Sequence, residues 1–188
     1  MSFAFQRRRG TTSQHSTFTG LVGELTVDTD KDTVVVHDGS TAGGFPLARA
    51  KGGTLEDSVV RGLEEDVNIV ASAATGTIAI DFSTASVWYY TSNATANHTL
   101  NFRYSSSSSL NNNLATGDAI TLVWLNTNGT TAYYPNVIQI DGSSVTPKWQ
   151  GGTAPTAGNA SSIDAYVFTI IKTASATFTV LASQTKFA

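Results

Sequence analysis

Residues 20–48, GLVGELTVDTDKDTVVVHDGSTAGGFPLA, constrain this chain more than any other stretch. They spell a strand (Leu25, Val27), a polar turn (Asp28 to Asp32), a second strand (Val34, Val35, Val36) and a glycine-rich exit. An isolated two-stranded hairpin is marginal in water, because it has nowhere to bury its apolar side chains. Wrapping identical hairpins about a symmetry axis solves the problem, and three copies would then share one apolar interior. Leu25, Val27, Val34, Val35 and Val36 are the expected contributors.

On either side of this module the pattern changes. Residues 1–19 form a polar arm with the cationic triplet Arg7, Arg8, Arg9 and, ahead of it, the aromatics Phe3 and Phe5, and show neither helical nor strand periodicity. They read as an attachment arm that orders on a partner, or as a solvated one. Residues 49–68 read as a linker. In TLEDSVVRGLEEDV, Leu55, Val59, Val60 and Leu63 fall at helical spacing with Thr54 as N-cap, and a short helix there would add Leu55, Val59 and Leu63 to the symmetric contact. An extended linker is the alternative.

From residue 69 to 188 the signals are β. The segments 75–82, 85–92, 97–103, 118–125, 136–142, 144–149, 164–173 and 176–183 alternate or run apolar between turn residues, which predicts an antiparallel β-sandwich or jelly-roll-like domain. The last two should form a hairpin with Phe168, Ile170, Phe178 and Val180 on one buried face. Pro147 marks 144–149 as an edge strand. The fold class is therefore all-β. It comprises an N-terminal hairpin module, a short linker helix and a C-terminal sandwich.

Charge is concentrated in the first third. Beyond residue 67 only Arg103, Lys148, Lys172, Lys186, Asp81, Asp118, Asp141 and Asp164 are charged, so this region draws its solubility from Ser, Thr and Asn, as a neutral β-domain facing other protein does. There is no cysteine, which excludes disulfides and thiolate metal sites. No run approaches the ~20 apolar residues of a membrane helix, and none follows the N-terminal arginines to make a secretory signal, so no membrane insertion is expected. The arginine triplet alone is a weak nucleic-acid signal in a net acidic chain, and nucleic acid is not an expected partner.

Catalytic chemistry finds little to work with. His15, His37 and His98 are the three histidines, and none stands in a nucleophile-elbow pattern. His37 reads as a residue that caps the hairpin or touches another chain. A glycosidase would need two of Asp81, Asp118, Asp141 and Asp164 at one cleft, whereas Asp118 and Asp141 sit in ordinary turn contexts. Asp28, Asp30 and Asp32 alternate as in a calcium loop but lack its glycine and distal glutamate, so no metal or other cofactor is expected. Tyr133, Tyr134 and Trp149, at turns or strand ends, are the candidate receptor or partner surface; rim packing is the competing explanation. The polar tracts 104–117 and 149–162 are the candidate exposed loops.

GELTVDTDKDTVVVHDGSTAGGFPLA, preceded by RRGTTSQHSTFTG, resembles the N-terminal module of bacteriophage tail-fibre and receptor-binding proteins of the major tropism determinant family, with VHDGSTAGGFPLA as its most distinctive run. The stretch from Leu125 to Ala188 is similar to the last domain of virion structural proteins of marine phages, including those that infect cyanobacteria. Together the resemblances imply a homotrimeric, non-enzymatic virion appendage on the tail or the capsid surface, with the hairpin module β-prism-like in the trimer. Its implied partners are itself, other virion proteins through the arm, and a host surface glycan or protein. A capsid-decorating or head-fibre protein is the alternative, and a polysaccharide-degrading spike a third.

Overall fold

The computed structural model describes residues 6–47, 62 and 64–188, and the chain divides into two compact units, Met1–Gly62 and Leu63–Ala188. The helix expected around Leu55, Val59 and Leu63, like Phe3 and Phe5, lies outside the described residues.

The N-terminal unit is built on a four-stranded sheet in the order β1–β2–β3–β4, with β1 at Arg9–Gly10, β2 at Leu25–Asp28, β3 at Thr33–Val36 and β4 at Phe45–Pro46. The central hairpin follows the alternation of its sequence. Leu25 pairs with Val36 and Val27 with Val34 on one face, while Thr26 pairs with Val35 and Asp28 with Thr33 on the other. The turn is closed by the Asp28 carboxylate, which accepts from the Asp30 and Lys31 amides at 3.0 and 3.1 Å. That lets Asp32 take a left-handed φ of 47°.

Residues 9–18 are not a separable arm in this unit. β1 joins β2 in parallel, and a four-residue helix α1 (Thr12–His15) follows with a complete capping box between Thr11 and Gln14. The Thr-x-x-Gln signature was present in the sequence, but α1 is too short for a periodic apolar stripe to reveal it.

The second unit consists of two sheets that face each other across one core. Its strands are β5 (Val67–Ala73), β6 (Gly76–Asp81), β7 (Val87–Ser92), β8 (His98–Arg103), β9 (Ala119–Asn128), β10 (Pro135–Ile140), β11 (Ser143–Val145), β12 (Lys148–Trp149), β13 (Ser162–Ala174) and β14 (Thr177–Phe187). A short helix, α2 (Leu110–Asn113), lies between β8 and β9. One sheet has the order β11–β10–β8–β6 and the other β12–β14–β13–β9–β7–β5. Ile78, Ile80, Leu100, Phe102, Ile138 and Ile140 from the first sheet meet Trp88, Leu122, Trp124, Tyr166, Phe168 and Ile170 from the second, and the Phe102 and Phe168 rings lie 5.0 Å apart.

The all-β class stands, but the pairing is mixed. From β5 to β10 successive strands alternate between the two sheets, so next-but-one strands become neighbours running the same way. The ladders β5–β7, β7–β9, β6–β8 and β8–β10 are therefore parallel. The antiparallel neighbours are β9 and β13, β13 and β14, and β10 and β11, with β13 and β14 joined through the hairpin expected. Both kinds of connection leave the same period-2 pattern, so periodicity alone does not separate them. Pro147 interrupts 144–149, which splits into β11 and β12 at the edges of different sheets.

Candidate interaction surfaces

Three buried side chains organise the N-terminal unit. The Gly20 amide donates to His37 Nδ1 at 3.3 Å, so His37 carries its proton on Nε2 and donates to Thr26 Oγ1 at 2.9 Å. The Thr26 hydroxyl then donates to His15 Nε2 at 2.8 Å, and His15 Nδ1 donates to the Thr11 carbonyl at 3.0 Å. This one-way chain fastens α1 and the 16–20 segment onto the hairpin's inner face. His37 is thus enclosed by its own chain, at 2 % exposure, and does not reach another copy. Its packing requires two glycines: a Cβ at Gly20 would lie 2.5 Å from the His37 ring, and one at Gly44, where φ is +60°, 2.7 Å from both His37 and Val35.

Two carboxylates hold the loops of this unit. Burial works to raise the Asp28 carboxyl, but hydrogen bonds from Thr12, Lys31 and Asp30 and the nearby His15 outweigh it, and Asp28 is held below the usual carboxylate range. The exposed Asp38 is held lower still by the amides and hydroxyls of Thr41 and Ser40. Arg8 bridges to Glu24 at 3.0 Å and lies 4.9 Å above the Phe18 ring, and Arg9 is paired through its backbone to Val27. Arg7 is exposed.

The opposite face of the hairpin is apolar and half open. Leu25, Val27, Val34 and Val36 are half-buried there, and Phe45 and Leu47 continue the patch at 54 % and 53 % exposure. Val35 points the other way and is 1 % exposed inside its own unit, which removes it from the face expected to meet other copies. Alternation in the sequence already implied this reversal, because Val34 and Val36 must share a face that Val35 does not.

In the second unit, the tract 104–117 is pinned through both ends of α2. The Asp141 carboxylate accepts from the Leu110 and Asn111 amides at 2.8 and 3.0 Å, and Lys172 Nζ donates to the Leu114 carbonyl at 2.8 Å and also to that of Asn111. Leu110 itself is fully buried. Asp81 pairs with Arg103, and Asp118 accepts from the Ala115 amide. Asp164, fully buried, accepts from Asn128 Nδ2, the Asn159 amide and Asn159 Nδ2 at 3.2, 2.8 and 2.7 Å. Burial and the adjacent Asp164 together push the Tyr166 hydroxyl well above the ordinary tyrosine range. Each of the four candidate carboxylates therefore has a structural partner.

The Asp164 network holds the 150–161 loop beside β14. Trp149, Gln150, Thr153, Pro155, Ser183, Gln184 and Thr185 line a polar groove of about 460 Å³ there. Trp149 is half-buried, with its ring edge-on to Tyr166 and Phe168 at 6.5 and 6.1 Å, so only part of its surface reaches the groove. Tyr133 and Tyr134 are half-buried against the core and do not line this groove. Gly158 lets the loop close on them: a Cβ there would stand 2.3 Å from the Tyr133 carbonyl oxygen.

Comparison with known proteins bears on the first of these units. Residues 6–41 match the family model of the major tropism determinant N-terminal domain. The matched span starts inside the segment read as an arm, takes in the whole His15–Thr26–His37 chain, and ends at the Asp38-capped turn. A tail fiber receptor-binding protein of Bordetella phage BPP-1 is 76 % identical over 49 residues, which is 26 % of this chain and 13 % of that protein. Among solved structures, the I1 and M1 variants of the major tropism determinant are 76 % identical over 24 % of this chain and 12 % of theirs, with TM-scores of 0.24. The chain thus spans about an eighth of the length of these relatives, and the likeness is one of the N-terminal module.

Proposed function

We propose that this protein is a non-enzymatic component of a phage virion, a tail-fibre or tail-appendage protein that takes part in attachment to the host surface. The observation that carries the reading is the 76 % identity over 49 residues to a tail fiber receptor-binding protein. In this reading the N-terminal unit is the joining element, and three copies associate through the apolar face of Leu25, Val27, Val34, Val36, Phe45 and Leu47. The exposed arginines and the residues before β1 contact a neighbouring virion protein. The second unit is the presented domain, of the kind found in marine-phage virion proteins, and the polar groove beside Trp149 and Gln184 suits a host glycan. The hydrogen-bonded state of Asp81, Asp118, Asp141 and Asp164 supports a binding role over a hydrolytic one.

Immunogold labelling of intact particles with antibody to the second unit tests the assignment. Gold on the tail is the expected result. Gold spread over the head would replace the reading with a capsid-decorating protein.

A further inference from the structure

The two outer faces of the second unit differ in chemistry. On the four-stranded sheet, the outward positions include Thr77, Asp81, Thr99, Asn101, Arg103 and Gln139, with Asp81 and Arg103 ion-paired across β6 and β8. That face is built for water.

The six-stranded sheet is different. Register aligns Val67, Val87, Val123 and Val167 in one row across β5, β7, β9 and β13, and Ile69, Tyr89, Leu125 and Ala165 in the next. Further along, Ile171 on β13 and Leu181 and Phe187 on β14 extend the surface. Val67, Ile69, Leu181 and Phe187 are 46, 66, 45 and 57 % exposed. No outward position on these five strands is charged: Asp164 and Lys172 point inward and are buried, and Lys186, paired with Asp164 near the end of β14, is exposed but shares their inward parity. The first outward charge is Lys148, on edge strand β12 opposite Leu181.

We infer that this face is a self-association surface, covered by the same sheet of other copies of the chain. Size supports the assignment. Five strands about 4.8 Å apart, each contributing about eight residues at about 3.3 Å, span about 600 Å² in plan and on the order of 800 Å² once corrugated by side chains. That is what each partner contributes to a standard interface, with the hydroxyls of Thr121, Thr127, Thr169 and Ser183 interspersed among the apolar side chains. Chemistry selects the occupant. A surface without charge gives a foreign partner no electrostatic match, whereas two copies meet with neither like-charge repulsion nor an unpaired buried ion. Apolar centre and charged rim at Lys148 follow the anatomy of oligomer interfaces. This contact is separate from the hairpin face and does not depend on it.

The absence of cysteine allows a local test in the full-length protein. Val123→Cys places a thiol at the centre of the face, Thr121→Cys an already exposed one beside it, and Val137→Cys a control on the other sheet's outer face. With a short bismaleimide, the Val123→Cys or Thr121→Cys variant should link chain to chain, whereas Val137→Cys should give no interchain links. Toward a monofunctional maleimide, the Val123→Cys thiol should react on the order of tenfold more slowly than the Val137→Cys thiol, since access limits a covered thiol. Labelling of Val123→Cys and Thr121→Cys as fast as Val137→Cys, without links, would overturn the inference, because the face would be open. Slow labelling without links would overturn it as well, because the cover would then be the chain's own or another protein. If Val123→Cys fails to fold, the Thr121→Cys result decides. The readout lies on β9, so it holds whether or not the hairpin face forms trimers.

Discussion

At the residue scale, the buried Thr26 hydroxyl is the most consequential single group of the N-terminal unit, because it is both acceptor and donor between two buried imidazoles. Thr26→Val keeps the shape and the β-branch but leaves His37 Nε2–H and His15 Nε2 without partners. It should destabilise that unit by about 1–3 kcal/mol, the cost of stranding buried polar groups. Hydrogen exchange of the β2 and β3 amides would register this, and unchanged protection would show that the chain is ornamental. His98 plays a different part. It is 1 % exposed, its Nε2 has no protein partner, and burial holds it below its ordinary value of 6.5, the bond to the Ala96 carbonyl opposing this only in part. A histidine whose folded value is depressed takes up a proton more readily unfolded, so its stabilising share is complete above pH 6.5 and declines as pH falls below it. All three tryptophans, Trp88, Trp124 and Trp149, lie in the second unit, so their fluorescence follows that unit alone. The urea midpoint read this way should fall between about pH 7.5 and about pH 5.5 in the parent chain, and fall much less in His98→Gln.

At the scale of elements, two segments behave as parts of the fold where the sequence suggested appendages. Deleting residues 1–19 removes β1, α1 and His15, which leaves Thr26 and Asp28 without their covering partners. Such a truncation should lose the N-terminal unit's amide protection while the tryptophan signal of the second unit survives. Protection retained in β2 and β3 would restore the separable arm. In the second unit, α2 plugs the core with Leu110, capped at its start by Asp141 and at its end by Lys172. Leu110→Ala should cost about 2–5 kcal/mol, as buried leucine truncations do, and a shift in the urea midpoint would report it. Serine and asparagine dominate the tract around it, which is why composition pointed to an exposed loop. The single leucine there carries no period, and its burial depends on Asp141, 31 residues away.

Across the whole molecule, the two units present two separate apolar faces, and each is open to its own test. Val36→Asp puts a carboxylate into the hairpin face, where Leu25 and Phe45 are its paired neighbours. If three chains share that face, light scattering of this variant should show loss of the trimer, since an unpaired buried carboxylate is not tolerated. Val35→Asp should instead unfold the unit from within, because Val35 is interior to its own chain. A trimer that survives Val36→Asp would remove the hairpin face from the assembly.

Much of this architecture was legible from local chemistry. The hairpin, its acidic turn and nearly all the later strands follow from period-2 alternation and turn residues, and those signals survive because each lies within a few positions of the chain. The same alternation contained the separation of Val35 from Val34 and Val36. Tertiary structure alone decided three things. It decided which sheet each strand joins, since arching between layers and turning within one leave identical patterns. It brought His15, Thr26 and His37 into a single hydrogen-bonded chain, since each pair of ring and hydroxyl is 11 residues apart. And it aligned Val67, Val87, Val123 and Val167 into one row, because register between distant strands is a property of the assembled sheet and is written in no single segment.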